Sequence, residues 1–152
     1  MKNSVAKHEL IVQKTITAQA DRLQVWEALT NPKITKKYFF GCEVHSTWKI
    51  GSPITWTGTF EGQKVEVKGT VLKMQPGRLL QYTAWSKMSG LEDIPSNYTT
   101  VSIHLVEVNG MTSIALTDEN FGSDAHAEKR HQASVAGWDK VLSGLKGLFI
   151  KQ

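Results

Sequence analysis

The chain has 152 residues, 40% of them hydrophobic and 21% charged, with 18 Lys and Arg against 14 Asp and Glu for a formal net charge of +4. That size and composition suit a globule with its own core, and one domain over residues 1–152 is expected. The positive surplus is small and its lysines are scattered, with Lys33, Lys36 and Lys37 the densest group, so no nucleic-acid partner is expected.

The first nine residues, Met1 to Glu9, turn to charge where a signal peptide needs an apolar run, and no later stretch approaches the ~20 apolar residues that span a bilayer. A cytoplasmic chain without membrane insertion is the expectation. Lone Cys42 permits neither an intrachain disulfide nor a cysteine-based zinc pattern, which agrees with a reducing compartment.

From about His8 to Ala18 the residues alternate as a strand, with Leu10, Val12 and Ile16 in one phase and Gln13, Thr15 and Thr17 in the other. The period then changes. Asp21 is a good N-cap that Gln24 can answer as a capping box, and Leu23, Val25, Trp26 and Leu29 give the first helix its apolar side. At Asn31-Pro32 that helix ends and a second opens, carrying Ile34, Tyr38 and Phe39.

From about Glu43 the alternation returns in six short segments, separated by Gly51-Ser-Pro, Glu61-Gly62, Pro76-Gly77, the stretch Gly90 to Pro95, and the hairpin signal Asn109-Gly110. Ile54, Trp56, Phe60, Val65, Val67, Val71, Val101, Ile103, Leu105, Ile114 and Leu116 share one phase, while Thr55, Glu66, Lys68, Ser102, His104 and Thr117 share the other. An antiparallel meander follows, oily on one side and wet on the other. Trp85 falls in the opposite phase from Tyr82 unless a bulge re-aims it.

The oily side needs a cover, and the last apolar element, from about Asp124 to Ile150, is the one long enough. Its roughly 27 residues would extend about 40 Å. Val135, Trp138, Val141, Leu142, Leu145, Leu148 and Phe149 form its stripe. Gly137, Gly144 and Gly147 interrupt it, each costing a helix interior about 1 kcal/mol. Gly137 and Gly144 are seven apart and share a side, which suggests close approach by another segment, with a cavity as the competing explanation.

This order of elements resembles the helix-grip fold of the START-like (SRPBCC) superfamily. Within it, "AQADRLQVWEALTNPKITKKYF", "WKIGSPITW", "VKGTVLKMQPGRLLQYTAW" and "GWDKVLSGL" resemble the family called activator of 90-kDa heat-shock protein ATPase homologue, C-terminal-like. Its carriers are Val25-Trp26 with Leu29-Thr30 and Pro32, Gly51, Gly69 with Val71, the run Pro76 to Leu79, and Gly137-Trp138. The resemblance implies an α+β fold: a curved antiparallel sheet of about seven strands around a long C-terminal helix, with two short helices after strand 1. It also implies a hydrophobic cavity between helix and sheet whose lining decides function. In the eukaryotic chaperone activators this domain accompanies a separate N-terminal domain, which these residues do not contain. The resemblance therefore favours a stand-alone, bacterial ligand-binding member.

Chemistry is less visible than fold. His8, His45, His104, His126 and His131 offer no i, i+4 pair and no His-Glu-x-x-His, so neither metal nor cofactor is expected. No nucleophile elbow or phosphate loop is present, and no catalytic residue is assigned. Asp118 continues the inward phase of Ile114 and Leu116, but charged residues are seldom fully buried, so it is expected to sit hydrated at a strand end. The segment Ser86 to Asn97, with Met88, Leu91 and Ile94, is the longest irregular connection and is expected to close over a cavity mouth.

The leading expectation is a protein that binds a small apolar or aromatic molecule between its last helix and the sheet. Phe39, Trp56, Tyr82, Ile103, Asp118 and Trp138 are its contacts, and Tyr82 or Asp118 orients the ligand. One alternative is an enzyme resembling polyketide cyclases. The other is a domain that contacts a chaperone through its basic face.

Overall fold

The computed structural model describes residues 10–150. Seven strands form one antiparallel sheet: β1 (Val12–Ala18), β2 (Cys42–Ser46), β3 (Pro53–Phe60), β4 (Gln63–Gln75), β5 (Leu79–Ser86), β6 (Thr99–Val108) and β7 (Met111–Glu119), in the order β1-β7-β6-β5-β4-β3-β2. Helices α1 (Arg22–Thr30) and α2 (Pro32–Tyr38) follow β1, and α3 (Ala127–Gly147) closes the chain. No helix among the described residues is long and apolar enough to cross a membrane.

Local chemistry sets most boundaries. The Asp21 side chain accepts from Gln24 N while the Gln24 side chain accepts from Asp21 N, completing the capping box of α1. Asn31 ends α1 and its side chain accepts from Lys33 N to start α2, with Pro32 in the first turn. Asn109 and Gly110 both adopt positive φ (55° and 77°), the conformation a two-residue hairpin requires, and the strands then pair from Val108 to Met111.

Several expectations need correction. The first strand begins at Val12 and leaves out Leu10 and Ile11, while His8 and Glu9 of the expected element lie outside the described residues. The segment "VHSTWKIG" divides, because Trp48 takes φ 62° and turns the chain after β2. Leu23 faces solvent rather than the core, and Phe60, though in the inward phase, sits at the sheet's end and is 38% exposed. The closing helix has 21 residues rather than 27, about 32 Å.

The sheet's inner face is built in rows. Val12, Asp118, Val101, Tyr82 and Val71 are successive cross-strand partners over β1, β7, β6, β5 and β4, and all five are buried. The next row runs through Leu116, Ile103, Leu80 and Met74. A register shift between Val71 and Lys73 keeps both Val71 and Met74 on this face. Helix α3 covers the rows with Val141, Leu142 and Leu145, each worth about 1.5–3 kcal/mol of burial. The Lys14 amine on β1 reaches over the edge to Asp139 of α3 at 2.7 Å.

The helix glycines separate into two cases. A Cβ on Gly144 would stand 2.9 Å from Tyr38 Cβ, so α2 and α3 meet there at a distance only glycine allows. On Gly137 a Cβ would find only Phe40 Cζ, at 3.9 Å, and on Gly147 nothing within 4 Å. Close packing explains Gly144 alone.

Candidate functional site

The end of α2 delivers three aromatic residues in succession. Positive φ at Phe40 (49°) and Gly41 (72°) folds the chain back into β2, and this turn leaves Phe39 pointing under α3. Phe39 stacks on Trp56 of β3 (ring centroids 5.5 Å, 16°) and meets Trp138 of α3 edge-on (5.9 Å, 83°). Trp56 in turn lies 4.7 Å from Tyr82 of β5. Such pairs each add about 0.5–1.5 kcal/mol beyond the area they bury, so the cluster packs as one aromatic wall.

Phe39, Trp56, Tyr82, Ile103 and Trp138 surround one cavity, closed further by Tyr38 from α2 and by Leu142 and Leu145 from α3. It offers about 20 Å³ to the centres of water-sized spheres, room for one or two waters and far too little for an aromatic molecule. The Tyr38 hydroxyl donates to Ala28 O at 2.7 Å. Burial holds the Tyr82 pKa well above the usual value, with the charges of Asp118 and Tyr38 adding to the effect. The Tyr82 hydroxyl therefore stays protonated, in a residue that lines the cavity.

Asp118, the sixth residue singled out from sequence, is absent from the immediate lining and stands directly behind it. The expectation of a hydrated strand end is overturned: Asp118 is only 5% exposed, because β1 and β6 flank β7 on both sides and α3 lies across it. Its Oδ2 accepts from Trp138 Nε1 at 3.0 Å and from Ser134 Oγ at 2.9 Å, while Oδ1 is buried with no partner. Burial pushes its pKa up, against the pull of the Trp138, Thr99 and Ser134 donors and of His131. The Thr99 hydroxyl itself is directed at Ala84 O, at 3.5 Å. Ser134 escaped the sequence reading, although its place four residues before Trp138 puts one hydroxyl on the apolar stripe.

The expected lid is elsewhere. Trp85 keeps its outward phase, pairs with Lys68 across β4 and β5, and donates from Nε1 to Leu91 O at 3.2 Å. Asp93 pairs with Lys68 and accepts from Tyr98 on the same wet face. Polar anchors thus tie the Ser86 to Asn97 loop to the outer side of the sheet, and none of its residues lines the cavity. Met88 is left 62% exposed.

Other candidate chemistry is quiet. No group of three His, Cys, Asp or Glu side chains among the described residues could hold a metal ion. Burial pushes the Cys42 thiol up to about 11, so at neutral pH it is a protonated, fully buried hydrophobe.

The comparisons with known proteins agree with this architecture. ChR145 from Cytophaga hutchinsonii is 38% identical, with a TM-score of 0.73 over 93% of this chain and 94% of that one. CalU16 from Micromonospora echinospora (21% identity, TM-score 0.66, 91% and 74% covered) shares the fold. So does the Aha1 dimer from Colwellia psychrerythraea (19% identity, TM-score 0.69, 91% and 95% covered). No curated protein matches. The family model described as activator of Hsp90 ATPase homolog 1-like protein matches residues 19–149, and the chain, a START-like helix-grip fold in structure, belongs to that family.

Proposed function

We propose that this protein binds a small, mostly apolar or aromatic molecule between α3 and the sheet. The observation that carries the reading is the aromatic cavity itself, with the protonated Tyr82 in its wall and the half-satisfied Asp118 behind it. Apolar walls with a few placed polar groups are the ordinary composition of a ligand site. Phe39, Trp56, Tyr82, Ile103 and Trp138 are the proposed contacts, and Asp118 joins them once the site opens. At about 20 Å³ the cavity is a closed state, so binding requires Phe39 or Trp138, both only partly buried, to swing outward. The test is a fluorescence and calorimetric screen of aromatic alcohols, flavonoids and lipids. Saturable binding that quenches tryptophan emission and weakens at least tenfold in Trp56→Ala supports the reading. No saturable binding from any class defeats it.

A second reading, contact with a chaperone, rests on the family match and on Lys33, Lys36 and Lys37, which are exposed on α2. Association through that face falls as salt rises. A pull-down with a chaperone of the 90-kDa heat-shock class at low and high salt decides it, and no capture at low salt removes it.

A further inference from the structure

Opening the site by way of Trp138 has a chemical consequence. The indole that would move is one of two donors holding Asp118 Oδ2, and the other oxygen of that carboxyl group is buried without a hydrogen-bond partner among the described residues. Moving Trp138 outward therefore leaves a buried carboxylate with Ser134 as its remaining hydrogen-bond donor, an arrangement that costs free energy unless the incoming molecule replaces the lost bond. The residues lining the cavity include no lysine, arginine or histidine to neutralise a second negative charge. The His131 ring of α3 acts electrostatically on Asp118, and its Nε2 lies 2.8 Å from Ile11 O.

Resting on the ligand-binding reading above, we propose that Asp118 selects ligands by hydrogen-bonding type and charge. The site accepts an uncharged apolar or aromatic molecule that carries an N–H or O–H, which takes over the Trp138 donor position on Asp118, and it rejects carboxylates. An anion placed under α3 gives up its hydration with no cationic side chain in the lining to replace it, and any charge that Asp118 carries repels it in a medium of low dielectric. A plain hydrocarbon fits the walls but leaves the carboxylate short of a donor. Tyr82, protonated and free to rotate its hydroxyl, accommodates either an acceptor or a donor and so does not discriminate.

Three probes of one shape separate these terms: naphthol, naphthalene and naphthoate, titrated at neutral pH by calorimetry and tryptophan fluorescence. The expected order is naphthol tightest, naphthalene weaker, and naphthoate weaker than naphthol by at least about tenfold. In Asp118→Asn, which keeps the side-chain shape and removes the charge, the gap between naphthol and naphthoate shrinks to about threefold or less. Deuterium exchange at the Trp138 indole N–H adds a readout that needs no variant. It is slow in the free protein and accelerates with naphthol, because the ligand takes its place on Asp118.

Naphthoate binding as tightly as naphthol to the wild-type protein overturns the proposal while leaving the ligand site standing. So does a Trp138 indole that stays protected in the naphthol complex. If none of the three probes binds, this inference falls, while the ligand-binding reading is decided by the wider screen of alcohols, flavonoids and lipids. The wild-type ranking and the exchange experiment decide the matter even if Asp118→Asn fails to fold.

Discussion

Alanine at Gly144 and at Gly137 should change stability in opposite directions, although the two positions share one side of the same helix. Each substitution gains about 1 kcal/mol of helix propensity. At Gly144 the added Cβ would stand 2.9 Å from Tyr38 Cβ and 3.5 Å from its Cα, atoms that cannot rotate away. Tyr38 is itself fixed by its hydroxyl bond to Ala28 O, so α2 must shift away from α3, an overpacking cost of about 1–3 kcal/mol. The balance is a net loss of about 1 kcal/mol, or a midpoint lower by about 2–4 °C for a chain of this size. At Gly137 the new methyl meets only Phe40 Cζ at 3.9 Å, an ordinary contact, so the propensity gain survives and the midpoint rises by a similar amount. Urea denaturation followed by far-ultraviolet circular dichroism measures both. If Gly144→Ala proves as stable as Gly137→Ala, the close approach of α2 and α3 is wrong and the account of that glycine with it.

Asp118 predicts a pH effect of definite sign. Its pKa is raised above the ordinary 3.8, so the native state keeps a proton that the unfolded chain releases, and this group's contribution falls as pH rises from the unfolded value through the folded one. The stability of Asp118→Asn relative to wild type should therefore grow as pH rises above about 4, and a constant difference would contradict it. Leu145→Ala removes a fully buried side chain from the cavity wall and should cost about 3–5 kcal/mol in urea unfolding, with benzene restoring part of the loss by filling the enlarged space. A cost under about 1 kcal/mol would mean that α3 does not seal the cavity there. Cys42, fully buried and with its thiol pushed up to about 11, should resist Ellman's reagent in the native protein and react at once in urea. Fast native labelling would place it at a surface instead.

Periodicity and turn chemistry along the chain decided the order of the elements, their caps and hairpins, and which side of each strand is oily. These are local properties: Asp21 and Gln24 cap α1, and Asn109-Gly110 turns β6 into β7, whatever else surrounds them. Phase alone also directs Phe39, Trp56, Tyr82, Ile103 and Trp138 toward the space under the closing helix, and the structure gathers those five around one cavity. Their role as ligand contacts is the proposal made above.

What phase cannot give is how far an element lies from an edge, or what crosses it. Asp118 reads as a strand end along the chain, yet it sits between two neighbouring strands and beneath a helix, so its carboxylate is buried. The loop from Ser86 to Asn97 has enough apolar residues for a lid, but Trp85 and Tyr98 at its ends and Lys68, distant in sequence on β4, tie it to the opposite face. Gly137 and Gly144 are indistinguishable by helical spacing, and only the crossing of α2 over α3 makes one of them indispensable. The volume under α3 likewise follows from side chains of seven elements meeting at once. A directional preference is written in one segment, whereas a distance between segments exists only after they have packed.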